Sequence, residues 1–231
     1  MKSKTDYSDM SIGLNLSTSL TTWDGDPSSY VVHVSGTIMP IGGDDPEEEV
    51  GSVQAILCRL GEAMNDGVGW YDVLDSFSET APYMELIERD DWSDKVQEVC
   101  EPLGSLDLLI LDRMDVKARY RGNGFGLMAA NSCIRAFGSG CGLVALKPFP
   151  LQYEAKVNPE TKAHDPRAFQ RDKMKLTRYW ARLGFKLLEN GLMVMDTTST
   201  RPPMSQVLRK TKMPRCKRTK SVSYRVLVPT P

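Results

Sequence analysis

Residues Val116–Leu127 read V-K-A-R-Y-R-G-N-G-F-G-L, with Gly122, Gly124 and Gly126 at alternate positions behind Arg119 and Arg121. The stretch lies between a strand-like run, Leu106–Lys117, and an amphipathic helical run, Phe125–Phe137, whose Leu127, Ala130, Ile134 and Phe137 share one stripe. A glycine turn feeding a helix is suited to anions. The first amide N–H groups of a helix have no partner inside it and carry the positive end of its dipole. Glycines let such a turn adopt positive φ and let a bulky phosphate approach the backbone. A strand, a crossover helix and a second apolar strand at Leu143–Leu146 then demand a parallel strand pair.

Two common phosphate-binding patterns do not fit. The P-loop order G-x-x-x-x-G-K-[ST] fails because Leu127, Met128 and Ala129 stand where its last positions would fall. The dinucleotide fingerprint fails too, since the glycines are spaced G-x-G-x-G and the next strand offers Ala145, Leu146 and Lys147 in place of an acid. A plain tight turn needs one or two glycines for positive φ, so a third points to a ligand. What the stretch does satisfy is R-x-x-G-x-G, through Arg121, Gly124 and Gly126, and in an overlapping frame through Arg119, Gly122 and Gly124.

On these residues the chain resembles the GNAT superfamily of acyl-CoA-dependent N-acyltransferases, whose pyrophosphate loop commonly reads V-x-x-x-x-R-G-x-G-x-G. Val116, Arg121, Gly122, Gly124 and Gly126 occupy its fixed positions. Arg178–Phe185, R-Y-W-A-R-L-G-F, is similar to the helix-then-strand element that ends in L-G-F near the C-terminus of that fold. The resemblance covers about residues 106 to 196. It implies a mixed α/β (α+β) fold with a mostly antiparallel central sheet, one splayed parallel strand pair and flanking helices. It also implies acetyl-CoA as co-substrate. Backbone groups of Met114 and Val116 would pair with the pantetheine arm. The segment Arg119, Arg121, Gly122, Asn123, Gly124, Phe125 and Gly126 would hold the pyrophosphate.

For catalysis the resemblance implies direct attack by an amine, which needs a proton acceptor and a group to protonate the departing thiolate. Asp112 and Asp115 on the central strand are the nearest carboxylates, with a salt-bridged strand end, through Arg113 or Lys117, as the structural alternative. The family's usual tyrosine position, four residues before the glycine of G-F, holds Trp180. Tyr179 is the neighbouring candidate, with a core aromatic beside Leu176 and Leu183 as its alternative role. The loop Tyr153–Arg171 is a candidate lid that would bring Glu160, His164 or Asp165 to the acceptor.

The rest of the chain bounds the reading. Its 231 residues fit one acyltransferase-like domain over 1–208, with a helical insertion at about 61–105 and a basic tail at 209–231. Ser29–Met39 and Val50–Leu60 alternate as an antiparallel pair, and the insertion reads as two or three short helices. A polar loop over 156–171 precedes a helix at about Asp172–Leu183. Asn190-Gly191 predicts a type I′ hairpin turn between Phe185–Glu189 and Leu192–Asp196. Met1–Trp23 reads as polar, with Ile12, Leu14, Leu16 and Leu20 dispersed and no run of signal or membrane-span length, so a cytoplasmic protein without a membrane partner is expected.

Five cysteines without a C-x-x-C pair read as core thiols, and two distant histidines, His33 and His164, give no metal site. The tail carries eight basic residues and no acid, leaving 21 basic against 30 acidic residues in the body. No aromatic side chain interleaves with Arg209–Lys220, so base stacking there has no support. The leading expectation is an N-acyltransferase acting on an unassigned amine, as a monomer or homodimer. The alternatives are a non-catalytic CoA-binding module and a nucleic-acid- or tRNA-associated protein working through the tail.

Overall fold

The computed structural model describes residues 10–18, 25–40, 49–101, 105–156, 165–198 and 200–210. In chain order the strands and helices are β1 (Met10–Thr18), β2 (Val31–Pro40), β3 (Gly51–Cys58), α1 (Leu60–Asn65), α2 (Trp70–Asp75), β4 (Ile87–Glu88), β5 (Asp91–Trp92), α3 (Asp94–Gln97), β6 (Leu108–Val116), α4 (Phe125–Phe137), β7 (Leu143–Leu146), α5 (Pro166–Trp180), β8 (Lys186–Leu187), β9 (Met193–Asp196) and α6 (Met204–Val207). Seven strands form one sheet in the order β1-β2-β3-β6-β7-β9-β8. Every neighbouring pair is antiparallel except β6 and β7. The mixed, mostly antiparallel sheet with a single parallel pair is therefore the one expected.

Alternation along β6 builds two cores at once. Leu108 and Ile110 face a layer made by α1, α2 and the 81–86 turn, where Trp70, Leu74, Tyr83 and Leu86 are buried. Leu109 and Leu111 face α4 and α5, against Leu127, Ile134 and Trp180. Each fully buried leucine or isoleucine contributes roughly 1.5–3 kcal/mol, which is why Leu108–Leu111, apolar on both faces, holds β6 in the middle of the sheet. Gly138 caps α4 by donating its amide to the carbonyl of Ile134.

Five local readings are corrected. Met10–Thr18 is an edge strand, in register with β2 from Met10↔Pro40 to Thr18↔Val32. Its Ile12, Leu14 and Leu16 are spaced by two, and the intervening Gly13 and Asn15 hid the alternation. The 61–105 segment holds, besides short helices, the hairpin β4–β5. Its two turn residues, Arg89 and Asp90, both have positive φ, as a type I′ turn requires.

The hairpin at 188–192 is different. Only Gly191 is left-handed there, Gly191 N–H donates to Leu188 O and Leu188 N–H to Leu192 O. This makes a three-residue loop with glycine in the bulge position, held by Leu192 N–H donating to Asn190 Oδ1. Helix α5 starts at Pro166, not at Asp172, because Asp165 accepts from Arg167 N–H at 3.0 Å and a proline at the first helical position loses no hydrogen bond. Asp165 is thus a helix cap and not part of a lid; Glu160 and His164 lie outside the described residues.

Candidate functional site

Parallel pairing of β6 with β7 runs from Leu108↔Leu143 to Ile110↔Ala145 and stops. At the same point β6 carries a bulge: Gln54 pairs with Arg113 and Ile56 with Ile110, so Ala55 faces both Leu111 and Asp112. A bulge bends a strand and increases its twist. Beyond β7 the chain reads Lys147-Pro148-Phe149-Pro150, and prolines have no N–H to extend a ladder.

The result is a cavity of about 680 Å³ between the separated strands. Every β6 residue from Leu111 to Val116 lines it, together with Arg121, Gly122, Gly124 and Gly126 of the turn, Lys147 and Phe149 after β7, and Asp172, Lys175, Leu176, Tyr179 and Trp180 of α5.

The backbone of β6 presents hydrogen-bonding groups to this space. Lys117 N–H donates to Val50 O, toward β3. Strand alternation then turns the N–H and C=O of Val116 and Met114 the other way, to the open edge. Arg121 confirms the direction, because its Nε donates to Val116 O at 2.7 Å. The guanidinium also lies 3.4 Å from Asp115 Oδ1, with both side chains about half exposed. Asp115 therefore ends the strand in an ion pair, with Arg121 in place of the expected Arg113 or Lys117. Those two pair with Glu154 and Glu49.

The three glycines have separate causes. Gly122 and Gly124 both sit at φ +85°, where a side chain is strained. Gly126 is helical, and a Cβ there would come within 2.9 Å of the Tyr179 hydroxyl. That hydroxyl accepts the amide proton of Leu127, the third residue of α4, at 3.1 Å. The amides of Gly124 and Gly126 have no acceptor within the helix and stand at the cavity wall. Tyr120 and Phe125 also line the cavity, and both are buried with Ile38, Val50 and Ala129 in a small core that anchors the turn. Arg119 and Asn123 are not in the cavity wall. The Arg119 guanidinium lies 4.8 Å from the Tyr120 ring centre, and Asn123 Nδ2 donates to Tyr120 O at 3.1 Å.

Tyr179 and Trp180 both reach the cavity while packing on the α4–α5 core, their rings edge to face at 5.0 Å. Burial raises the Tyr179 pKa, partly offset by the Leu127 amide and Arg182, so the phenol stays protonated at neutral pH. Since its oxygen is already an acceptor, the O–H remains to donate into the cavity.

Asp112 stands on the bulge at the solvent side of the wall. Desolvation pushes its carboxyl above the usual range; Arg113 opposes this, Glu79 and Glu154 add to it, and His33 opposes it. Asp172 is the reverse case. Lys175 Nζ at 2.8 Å and Tyr153 Oη at 3.0 Å hold its carboxyl down to about 2. Gln152 adds a third donor at 3.2 Å, so Asp172 ties the 151–156 turn to α5. Lys147 is a wall cation with no carboxylate in ion-pair range among the described residues.

Of the α5 wall, sequence reading named Tyr179 and Trp180 and missed Asp172, Lys175 and the wall position of Leu176. Asp172, Lys175, Leu176 and Tyr179 recur at three- and four-residue spacing on one face, the pattern that would have found them. Among the described residues no cluster of metal-ligating side chains occurs and no helix is long and apolar enough to cross a membrane. Comparison of the chain with protein-family models and with curated proteins finds no match.

Proposed function

We propose that the chain is an N-acyltransferase of the GNAT type that moves an acetyl group from acetyl-CoA to a primary amine. A single observation carries this reading. One cavity joins a strand edge that no neighbouring strand covers, a glycine turn at the start of a helix and a half-buried tyrosine hydroxyl. The amide-bearing pantetheine arm is matched to the edge at Met114 and Val116, as a peptide is matched to a sheet edge in β-augmentation. The pyrophosphate is matched to the amides of Gly124 and Gly126, with Arg121 at the same mouth.

In the transfer the amine nitrogen attacks the thioester carbonyl, a C–N bond forms and the C–S bond breaks. The sulfur leaves as thiolate and takes the proton of the Tyr179 hydroxyl. The nitrogen's proton passes to Asp112, directly or through water, since a carboxylate with a raised pKa is the better base. Asp115, engaged by Arg121, is left out of this scheme.

Calorimetric titration with acetyl-CoA tests the binding step, and release of free CoA thiol across a panel of primary amines tests the transfer. Saturable binding with amine-dependent thiol release is expected. Binding without release from any amine would leave a CoA-binding module. The absence of binding would end the reading.

A further inference from the structure

Arg121 is poised against the same groups that an entering carrier would use. Its Nε holds the carbonyl of Val116, the last acceptor on the open edge of β6, while its terminal nitrogen reaches Asp115 on the same strand. Both Arg121 and Val116 line the cavity, at the end where the glycine turn presents its amides. A guanidinium 2.7 Å from that carbonyl occupies space through which an added, strand-like ligand must pass.

We infer that Arg121 is a specificity-determining residue that closes the β6 edge to carriers lacking phosphate and releases it to carriers that bring a diphosphate. This rests on the reading that an acyl-CoA occupies the cavity. The physical basis is a competition between acceptors. A neutral carbonyl and an exposed carboxylate hold the guanidinium on the strand, and a diphosphate offers it two or more charged oxygens in the fork geometry that arginine prefers. Pantetheine alone offers Arg121 only neutral acceptors, no better than the carbonyl it already holds, and meets an occupied edge. CoA draws the guanidinium to its phosphate and finds the Val116 carbonyl open. Asp115 sets the strength of the resting hold.

The test is calorimetric titration of the wild-type chain, Arg121→Met and Asp115→Asn with CoA and with pantetheine, each variant first shown to melt cooperatively. The expected result for Arg121→Met is opposite shifts: CoA weakens about tenfold while pantetheine tightens about threefold. Asp115→Asn tightens CoA about twofold to threefold, because the guanidinium leaves the strand more readily. Wild-type binding of CoA combined with parallel weakening of both ligands in Arg121→Met, or with unchanged pantetheine affinity, overturns the inference and leaves the acyl-CoA reading standing. Failure of the wild type to take up CoA overturns both. If Arg121→Met does not fold, Asp115→Asn decides: tighter CoA supports the competition, and unchanged or weaker CoA overturns it.

Discussion

The hydroxyl of Tyr179 accepts the amide proton of Leu127 at 3.1 Å, so a side chain from α5 occupies the third N–H of α4. Gly126 lets the oxygen in, since a methyl group at that position would lie 2.9 Å from it.

A double-mutant cycle follows from this contact. Gly126→Ala in the wild-type background sets the alanine's helix preference, about 1 kcal/mol over glycine, against displacement of a buried hydroxyl and an orphaned amide worth about 1–3 kcal/mol. The net effect is destabilising. In Tyr179→Phe the oxygen is absent and the nearest remaining ring atoms lie 3.8 Å away, so Gly126→Ala becomes stabilising by about 0.5–1 kcal/mol. Urea denaturation of the four proteins measures the coupling, and additive changes would contradict the packing described.

Asp112 yields a pH signature. Its folded pKa lies above the unfolded value, chiefly through desolvation, so ionisation disfavours the folded state as pH rises through the unfolded pKa of about 4. Asp112→Asn is therefore expected to raise the melting temperature at pH 7 and to leave it unchanged at pH 3. A variant equally stabilised at both values would show that charge is not the cause.

Asp172 runs the other way. With its pKa held down to about 2 by Lys175 and Tyr153, its contribution is complete above the unfolded value of about 4 and fades as pH falls toward 2. Asp172→Asn should lower the melting temperature at pH 6, with the difference from wild type shrinking progressively below pH 4. Faster proteolysis near 151–156 at pH 6 would accompany it, because a single neutral oxygen then has to serve Gln152, Tyr153 and Lys175 in place of two charged ones.

Much of this arrangement was legible because it rests on short-range chemistry. The order of β6, the turn, α4 and β7 follows from one apolar run, alternating glycines and a helical stripe. What escaped depends on partners distant in sequence. The cause of Gly126 lies 53 residues away at Tyr179, and nothing in the local string distinguishes it from the left-handed Gly122 and Gly124. The turn at Asn190-Gly191 carried the strongest local signature, yet the register of Leu187 with Met193 placed three residues in the loop and made Gly191 a bulge. Arg89 and Asp90 adopt the type I′ geometry with no glycine; Asp90 also accepts the amide of Trp70 at 2.9 Å, a tertiary tie that sequence spacing does not reveal.

The cysteines provide a simpler check. Burial raises the thiols of Cys58, Cys100, Cys133 and Cys141, with Cys133 at about 11 and Cys141 at about 12. The thiolate is the reactive form, so peptides carrying these four are expected to resist iodoacetamide at pH 8 in the native protein and to label fully in denaturant. Rapid native labelling of Cys133 or Cys141, read by peptide mass mapping, would mean that the α4–α5 core opens readily.

Pro148 and Pro150, which follow β7 at once, have a consequence for the unliganded protein. Two of the four residues after β7 on the far bank of the cleft bring no N–H with which to zip themselves to β6, so self-closure of the sheet is disfavoured. A guest thus has one guanidinium to displace from the Val116 carbonyl, and its binding energy need not be spent on prying two strands apart.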